Sequence, residues 1–249
     1  MSSATSAIEA PGPEPIVFHW HEAEVAAITA ITPTVKSVRL RCAIAGRQRA
    51  GQHVDVRLTA ADGYRASRSY SVASVPDGSD TIELLVEGLP EGEVSSWFFE
   101  TAEVGDRLEL RGPIGGSFSW DGPDGGPLLL AGGGSGVVPL LAMLRRRAQV
   151  VPDLPAALIF SVRSRAEAIA LDELEARDRD EPNFSLFLRT TREGQGRVDA
   201  AVVEAALERI GAPGKVFLCG SNRFVSPTAD LVVAAGVPPA VIRTERFGA

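Results

Sequence analysis

The sequence predicts an antiparallel β-barrel followed by a doubly wound parallel-sheet α/β domain. Three observations carry this expectation. Short β-branched runs at close spacing fill residues 22–123, the pattern of an antiparallel barrel or sandwich. The breaker-rich stretch Trp120-Asp-Gly-Pro-Asp-Gly-Gly-Pro127 then interrupts the chain. Beyond it, in residues 124–249, apolar strands alternate with amphipathic helices, which requires a parallel sheet covered on both faces. Residues 1–21 read as a flexible tail, because the opening fifteen combine acid, proline and small residues without an apolar leader.

In the first half, Val25–Ile31 and Val35–Cys42 flank the turn at Thr32-Pro33 as two strands. Residues 53–59 alternate apolar and polar, as a strand with one wet face does. Strands are expected at Ser69–Ala73 and Thr81–Val86, a short helix at Val94–Thr101 and a strand at Arg107–Arg111. In the second half the expected order is strand Leu128–Ala131, helix Val137–Ala148, strand Ala156–Val162, helix Ala166–Arg177 and strand Phe184–Arg189. Helix Asp199–Ile210 ends at Gly211, strand Val216–Cys219 and helix Arg223–Ala235 follow, and Val241–Thr244 closes the series.

Composition narrows the function classes. Of 249 residues, 32 are acidic and 25 basic, a net charge of −7, so the chain lacks the broad basic surface that nucleic acid or an anionic membrane requires. Residues 1–123 hold 17 acids and 10 bases, whereas residues 124–249 balance at 15 each, making the second half the less repulsive one toward a polyanion. Cys42 and Cys219 are the two cysteines and His19, His21 and His53 the three histidines. That set supplies neither a C-x-x-C zinc site nor the ligands of an iron–sulfur cluster, so any electron carrier is non-covalent or sits on another chain. His19-Trp20-His21 is expected to be strand rather than a metal site, and no metal is assigned. The charge-free stretch Gly125–Leu144 is long enough to span a bilayer, but its glycines and prolines read as strand, turn and buried helix, and no membrane insertion is expected.

The strongest local signal is Leu128-Leu-Leu-Ala-Gly-Gly-Gly-Ser-Gly-Val-Val-Pro139. It joins a strand to a helix, so a phosphate can rest among unpaired N–H groups at the helix start. No lysine is present for a P-loop, and Val137 stands where a nucleophile elbow needs glycine. Pro139 also replaces the last glycine of the common dinucleotide fingerprint, at little cost in a first helical turn. A second signal, Arg68-Ser-Tyr-Ser71, puts a guanidinium beside a ring and two hydroxyls. Arg145-Arg-Arg147 reads as a solvated helix face, and Cys42 as a small buried hydrophobe.

Together these motifs resemble the ferredoxin–NADP reductase family over residues 22–247. Its flavin domain carries R-x-Y-S and its nucleotide domain G-x-G-x-x-P. Further matches are Gly92-Glu-Val-Ser95 with the family's G-x-x-S/T loop and Gly112-Pro-Ile-Gly115, with Phe118 after it, with G-P-x-G. Cys219-Gly220 matches the C-G near the nicotinamide, and Glu245-Arg-Phe247 the acid-x-aromatic ending. Here Phe247 is followed by Gly248-Ala249, whereas plant-type members end in tyrosine.

The resemblance implies an FAD-binding barrel (22–123) and an NAD(P)-binding α/β domain (124–249). It assigns Arg68, Ser69, Tyr70 and Ser71, with Gly92, Val94 and Ser95, to FAD. It assigns Gly132, Gly133, Gly134, Ser135, Gly136 and Pro139 to the nicotinamide nucleotide, with Cys219 and Gly220 near its ring. Ser71, Cys219, Glu245 and Phe247 would surround the hydride path. Arg163, in Arg163-Ser-Arg165, and Arg192 and Arg197, in Thr191-Arg-Glu-Gly-Gln-Gly-Arg197, favour NADPH over NADH through the 2′-phosphate. The implied activity is hydride transfer from NAD(P)H to FAD and electron delivery to a separate ferredoxin, flavodoxin or oxygenase component; the opening residues, which show no apolar leader, lead us to expect a cytoplasmic protein. A flavin or quinone reductase of small molecules and a non-catalytic nucleotide-binding subunit are the rival readings.

Overall fold

A computed structural model describes residues 19–122 and 125–247. The expected tail, up to residue 18, the expected boundary between residues 123 and 124, and Gly248-Ala249 lie outside the described residues.

The first half is an antiparallel sheet of β1 (Trp20–Thr32), β2 (Val35–Cys42), β3 (His53–Thr59), β4 (Arg65–Ser71), β5 (Thr81–Glu87) and β6 (Arg107–Ile114). Its strand order is β4-β3-β6-β1-β2-β5. The edge strands meet through a bridge between Val72 and Leu84 and a bond from Ala73 N to Glu83 O of 2.8 Å, which close the sheet into a barrel. The alternation in 53–59 is realised: Val54 and Val56 are fully buried while Asp55 and Arg57 face outward. Helix α1 (Glu93–Glu100) plugs the barrel with Val94 and Phe98.

The second half is a parallel sheet of β7 (Leu128–Gly133), β8 (Ala156–Val162), β9 (Phe184–Thr190), β10 (Lys215–Gly220) and β11 (Ile242–Arg246), ordered β11-β10-β7-β8-β9. The chain thus reverses its direction of winding between β7 and β10, and the crevice above that pair is where open α/β sheets bind ligands. Side chains alternate between two cores: Leu128 and Leu130 face α2 (Val137–Val150) and α3 (Leu171–Asp180), while Leu129 and Ala131 face α4 (Ala200–Ile210) and α5 (Asn222–Ala234). Asp199 caps α4, accepting from Val202 N at 3.0 Å.

Trp20 and His21, placed in the expected tail, instead begin β1, Trp20 paired with Arg111 and His21 with Leu110 of β6. Three further sequence expectations need correction. The helix expected from Ala166 begins at Leu171, because a single 3₁₀ turn at Arg165–Glu167 is followed by Ala170 in the left-handed region (φ 54°), which turns Ala168 and Ile169 into the core. Trp120, read as the start of a linker, is buried and bonds back to Ala50 O at 2.9 Å. The expected solvated face Arg145-Arg-Arg147 is not one. Arg147 is fully buried, donating to the Pro152 and Asn183 carbonyls and pairing with Glu181 at 2.6 Å, and Arg145 joins the two halves.

The halves share one core. Val35, Ala50, Ala73, Leu85, Phe118 and Trp120 of the first half pack in the same cluster as α2 and β7 of the second. Phe118 meets Phe217 of β10 edge-on, with ring centroids 5.3 Å apart.

Candidate active-site cleft

A cleft of about 1390 Å³ runs between the barrel and the parallel sheet. Its size exceeds the roughly 300–1,000 Å³ of a single small-molecule pocket, leaving room for more than one ligand. One wall is the carboxyl ends of the parallel strands: Gly133 of β7, Ser161 and Val162 of β8, Thr191 after β9, Ser221 after β10, and Glu245 to Phe247 at β11. The facing wall is His53, Arg68 to Ser71, Gly92 and Ser95 of the barrel. Five arginines (68, 163, 197, 223 and 246) line it against three glutamates (87, 167 and 245). In a chain of net charge −7, that local excess of cations focuses polyanions into the cleft.

The barrel wall is built from register. β3 pairs with β4 so that His53 lies opposite Ser71 and Asp55 opposite Ser69. Ser69 Oγ donates to Asp55 Oδ1 at 2.6 Å, fixing the strand from its outer side. Tyr70 meets Phe98 edge-on, and burial pushes its hydroxyl up to about 12, so it stays protonated at all working pH values. Burial draws the His53 imidazole below its ordinary value, against the pull of Asp55. Arg68 is half exposed, with Nη2 3.9 Å from Glu93 Oε2; the other oxygen of Glu93 accepts from Tyr64 at 2.6 Å.

The start of α1 fits a diphosphate. Its N-cap, Gly92, has no side-chain cap, so first-turn amides are left for a ligand. A Cβ on Gly92 would come within 2.4 Å of Ser95 Oγ, which donates to Gly92 O and accepts from Leu89 N. Val94 differs from its neighbours: its side chain is in the barrel core, and only its main chain is left for a cofactor.

The glycine loop divides its labour. A Cβ on Gly132 would lie 3.0 Å from the Val137 backbone and one on Gly136 2.2 Å from Cys219 O, so these two glycines allow β7, α2 and β10 to pack. Gly134, at φ 56° with nothing within 4 Å of its would-be Cβ, faces open space and with Gly133 and Ser135 lines the cleft. That open, uncapped backbone suits a second diphosphate. Pro139 is buried in the first turn of α2 and does not line the cleft.

Glu245, Phe247 and Ser71 all line the cleft. Burial raises the Glu245 carboxyl to about 7. Cys219, opposite Glu245 in the parallel register, is fully buried outside the lining, and burial together with Glu245 pushes its thiol far above the ordinary range. Gly220 is likewise outside the lining, but its carbonyl accepts from Phe247 N at 3.2 Å and so holds the Phe247 main chain beside β10. Arg163 and Arg197 face the cleft and Arg192 does not; Arg163 is 3.7 Å from Glu167, and Arg165 pairs with Glu175 instead.

Sequence reasoning missed Phe224, Arg223 and His53. The Phe224 ring covers the loop, 2.6 Å from a would-be Cβ on Gly133 and 3.0 Å from one on Gly220. Its position in the first turn of the helix after Cys219-Gly220 is the signal that could have found it. Trp20, between the two histidines, stacks under Arg57 and Arg111 at 4.0 and 4.8 Å.

Two family models match this chain: the oxidoreductase FAD-binding domain at residues 22–120 and the oxidoreductase NAD-binding domain at residues 130–230. Ferredoxin–NADP reductase B of Sorangium cellulosum is 33% identical over 239 residues, covering 91% of this chain and 97% of that protein. The reductase component of propane 2-monooxygenase from Mycolicibacterium goodii is 29% identical over 226 residues, 86% of this chain; the match spans 64% of that relative, just under two thirds. Among solved structures, the ferredoxin reductase in carbazole 1,9a-dioxygenase superposes with a TM-score of 0.77 at 29% identity, covering 95% of this chain and 71% of that one.

Proposed function

This chain belongs to the ferredoxin–NADP reductase family of FAD- and NAD-binding oxidoreductases, and we propose that it takes a hydride from NAD(P)H, NADPH favoured, and delivers electrons to a separate protein acceptor. The observation that carries the reading is that two uncapped, glycine-bearing helix starts, at α1 and before α2, lie on opposite walls of one arginine-rich cleft, where each suits a diphosphate. Bound FAD would supply acceptance of a hydride and release of electrons one at a time. The acceptor, a ferredoxin, flavodoxin or oxygenase component, is proposed because relatives are named as ferredoxin reductases and monooxygenase reductase components. The proposal divides the chain at residues 22–123 and 124–249 and places it in the cytoplasm; among the described residues no helix is long and apolar enough to cross a membrane.

The residues divide the work. Arg68 and the α1 amides, with Ser69, Gly92, the Val94 main chain and Ser95, hold one diphosphate, and Gly133, Gly134 and Ser135 hold the other on a loop whose path Gly132 and Gly136 permit, so that alignment comes from binding at both ends. Ser71 offers a hydroxyl, and Glu245, poised near neutrality, holds a proton at its carboxyl within the cleft. Phe247 and Tyr70 supply apolar surface that excludes water. Buried Cys219 positions Gly136 through its backbone carbonyl, so its part in the site is to seat the loop. Arg163 and Arg197 are the proposed 2′-phosphate ligands, Arg192 standing beyond them; Arg197 forms no ion pair among the described residues.

Steady-state rates with both nucleotides and several acceptors test this reading. A protein acceptor should saturate at low concentration and slow as salt rises. Turnover of free flavins or quinones alone, indifferent to salt, would favour the small-molecule reductase instead. Arg197→Ala should raise the KM for NADPH roughly tenfold and leave NADH unchanged, since one charge-assisted contact is worth about 1.5–3 kcal/mol; equal effects on both would reject the 2′-phosphate assignment.

A further inference from the structure

We propose that Arg145, remote from both diphosphate sites, is the positioning residue that sets the spacing of the two ligands for hydride transfer. Arg145 projects from α2, the helix whose start is the glycine loop. Its Nη1 donates to Glu83 Oε2 at 2.7 Å and to the Ala73 carbonyl at 3.1 Å, both in the barrel. Ala73 stands two residues beyond Ser71, the last residue of β4, the strand that carries the flavin-side motif. On its other side Arg145 forks onto Glu173, with Nε at 3.1 Å from Oε1 and Nη2 at 2.6 Å from Oε2. Glu173 lies in the first turn of α3, directly after the segment whose Arg163, Glu167 and Ile169 line the cleft. One guanidinium therefore ties together the flavin strand, the helix of the glycine loop and the segment proposed for the 2′-phosphate.

The anchors are themselves fixed. Glu83 Oε1 accepts from Ser37 Oγ at 2.6 Å, and Glu83 N donates to Ser74 Oγ at 2.9 Å. Glu173 also accepts from Arg177, which reaches Glu181, the partner of buried Arg147. The side chains of Arg145, Glu83 and Glu173 are 22%, 16% and 30% exposed, so salt screens the network weakly. A planar fork holds three directions at once in a way that a lysine point charge does not. Elsewhere α2 meets the first half through apolar packing and through two polar contacts that are more exposed, Arg146 with Asp121 at 3.2 Å and Gln149 Nε2 with the Pro76 carbonyl at 3.4 Å. The Arg145 fork is thus the part-buried, multidentate tie that resists sliding of α2 across the flavin-side strands. Misplacement by about 1 Å can cost roughly a hundredfold in rate without loss of binding.

The inference rests on the proposed hydride transfer, and the experiment separates the two. Chains loaded with FAD are mixed anaerobically with NADPH, recording the rate of flavin bleaching and the long-wavelength absorption that stacked nicotinamide and flavin rings produce. FAD content and melting temperature are measured on the same samples. Arg145→Gln and Arg145→Lys should retain FAD and raise the KM for NADPH less than threefold. Both should bleach about tenfold or more slowly, with the long-wavelength band diminished. Glu83→Gln leaves the Arg145–Glu173 pair and the bond to the Ala73 carbonyl intact and removes only the ion pair to the barrel; it should slow bleaching about threefold to tenfold and decides the matter if the Arg145 variants fail to fold. Wild-type bleaching rate and band in Arg145→Gln, or in Glu83→Gln, overturn the inference. An unmodified chain that NADPH and NADH both fail to bleach would instead overturn the hydride-transfer reading.

Discussion

Replacing Glu245 by glutamine should change the pH dependence of stability in a defined direction. The carboxyl lies in the cleft wall, and burial raises it from 4.5 to about 7. Below pH 4.5 it is protonated in both folded and unfolded chains and contributes no difference. As pH rises, the unfolded chain loses this proton first, so the fold loses stability progressively until about pH 7, above which the loss is complete. At about 1.4 kcal/mol per tenfold, the raised carboxyl costs at most about 3 kcal/mol. Its partial exposure to the cleft reduces that to roughly 1.5 kcal/mol. Glutamine keeps the shape and cannot ionise. For a chain of this size, about 2–4 °C in melting temperature accompanies each kcal/mol. About a quarter of that loss is already present at pH 5, so the melting temperature of Glu245→Gln minus that of the unmodified chain should grow by about 2–4 °C between pH 5 and pH 8, measured by calorimetry in matched buffers. A difference that is flat with pH, or that shrinks as pH rises, refutes the buried-carboxyl reasoning.

Two further substitutions separate packing from binding. Gly136→Ala should destabilise the chain by about 2–4 kcal/mol, because its methyl would stand 2.2 Å from the rigid Cys219 carbonyl; a melting temperature within a degree of the parent would show that β10 and α2 can part. Arg68→Ala should weaken FAD binding by roughly ten- to a hundredfold while leaving the flavin-free chain's melting temperature unchanged, since the side chain is 56% exposed and meets Glu93 only at 3.9 Å. Equilibrium titration followed by flavin fluorescence reads the first, thermal denaturation the second, and unaltered FAD affinity would dissociate Arg68 from the diphosphate.

Much of this architecture was legible in the sequence because periodicity reports burial directly. The alternation of 53–59 located β3 to the residue, and the apolar run Ala156–Val162 located β8, since a strand covered on both faces leaves no polar register. The glycine loop was legible because few residues can follow so tight a strand-to-helix path. What the sequence concealed depends on contacts between distant positions. Arg145 and Arg147 look like a solvated triplet with Arg146, and nothing local shows that their partners are Glu83, Glu173 and Glu181. His53 enters the cleft through its pairing with Ser71, a register that no single strand encodes. The start of α3 was misplaced because Ile169 turns inward through a left-handed Ala170, which interrupts the helical period. Cys219 matched a motif by position while its thiol is fully buried, a distinction between main chain and side chain that spacing does not carry.

The central claim is that two ligands held by opposite walls of one cleft exchange a hydride. Its most direct test is an anaerobic absorption spectrum of the FAD-loaded chain before and after one equivalent of NADPH. One flavin retained per chain, bleached fully by that equivalent, is the predicted result. A chain that retains no flavin, or whose bound flavin stays oxidised with either nicotinamide nucleotide, contradicts the account.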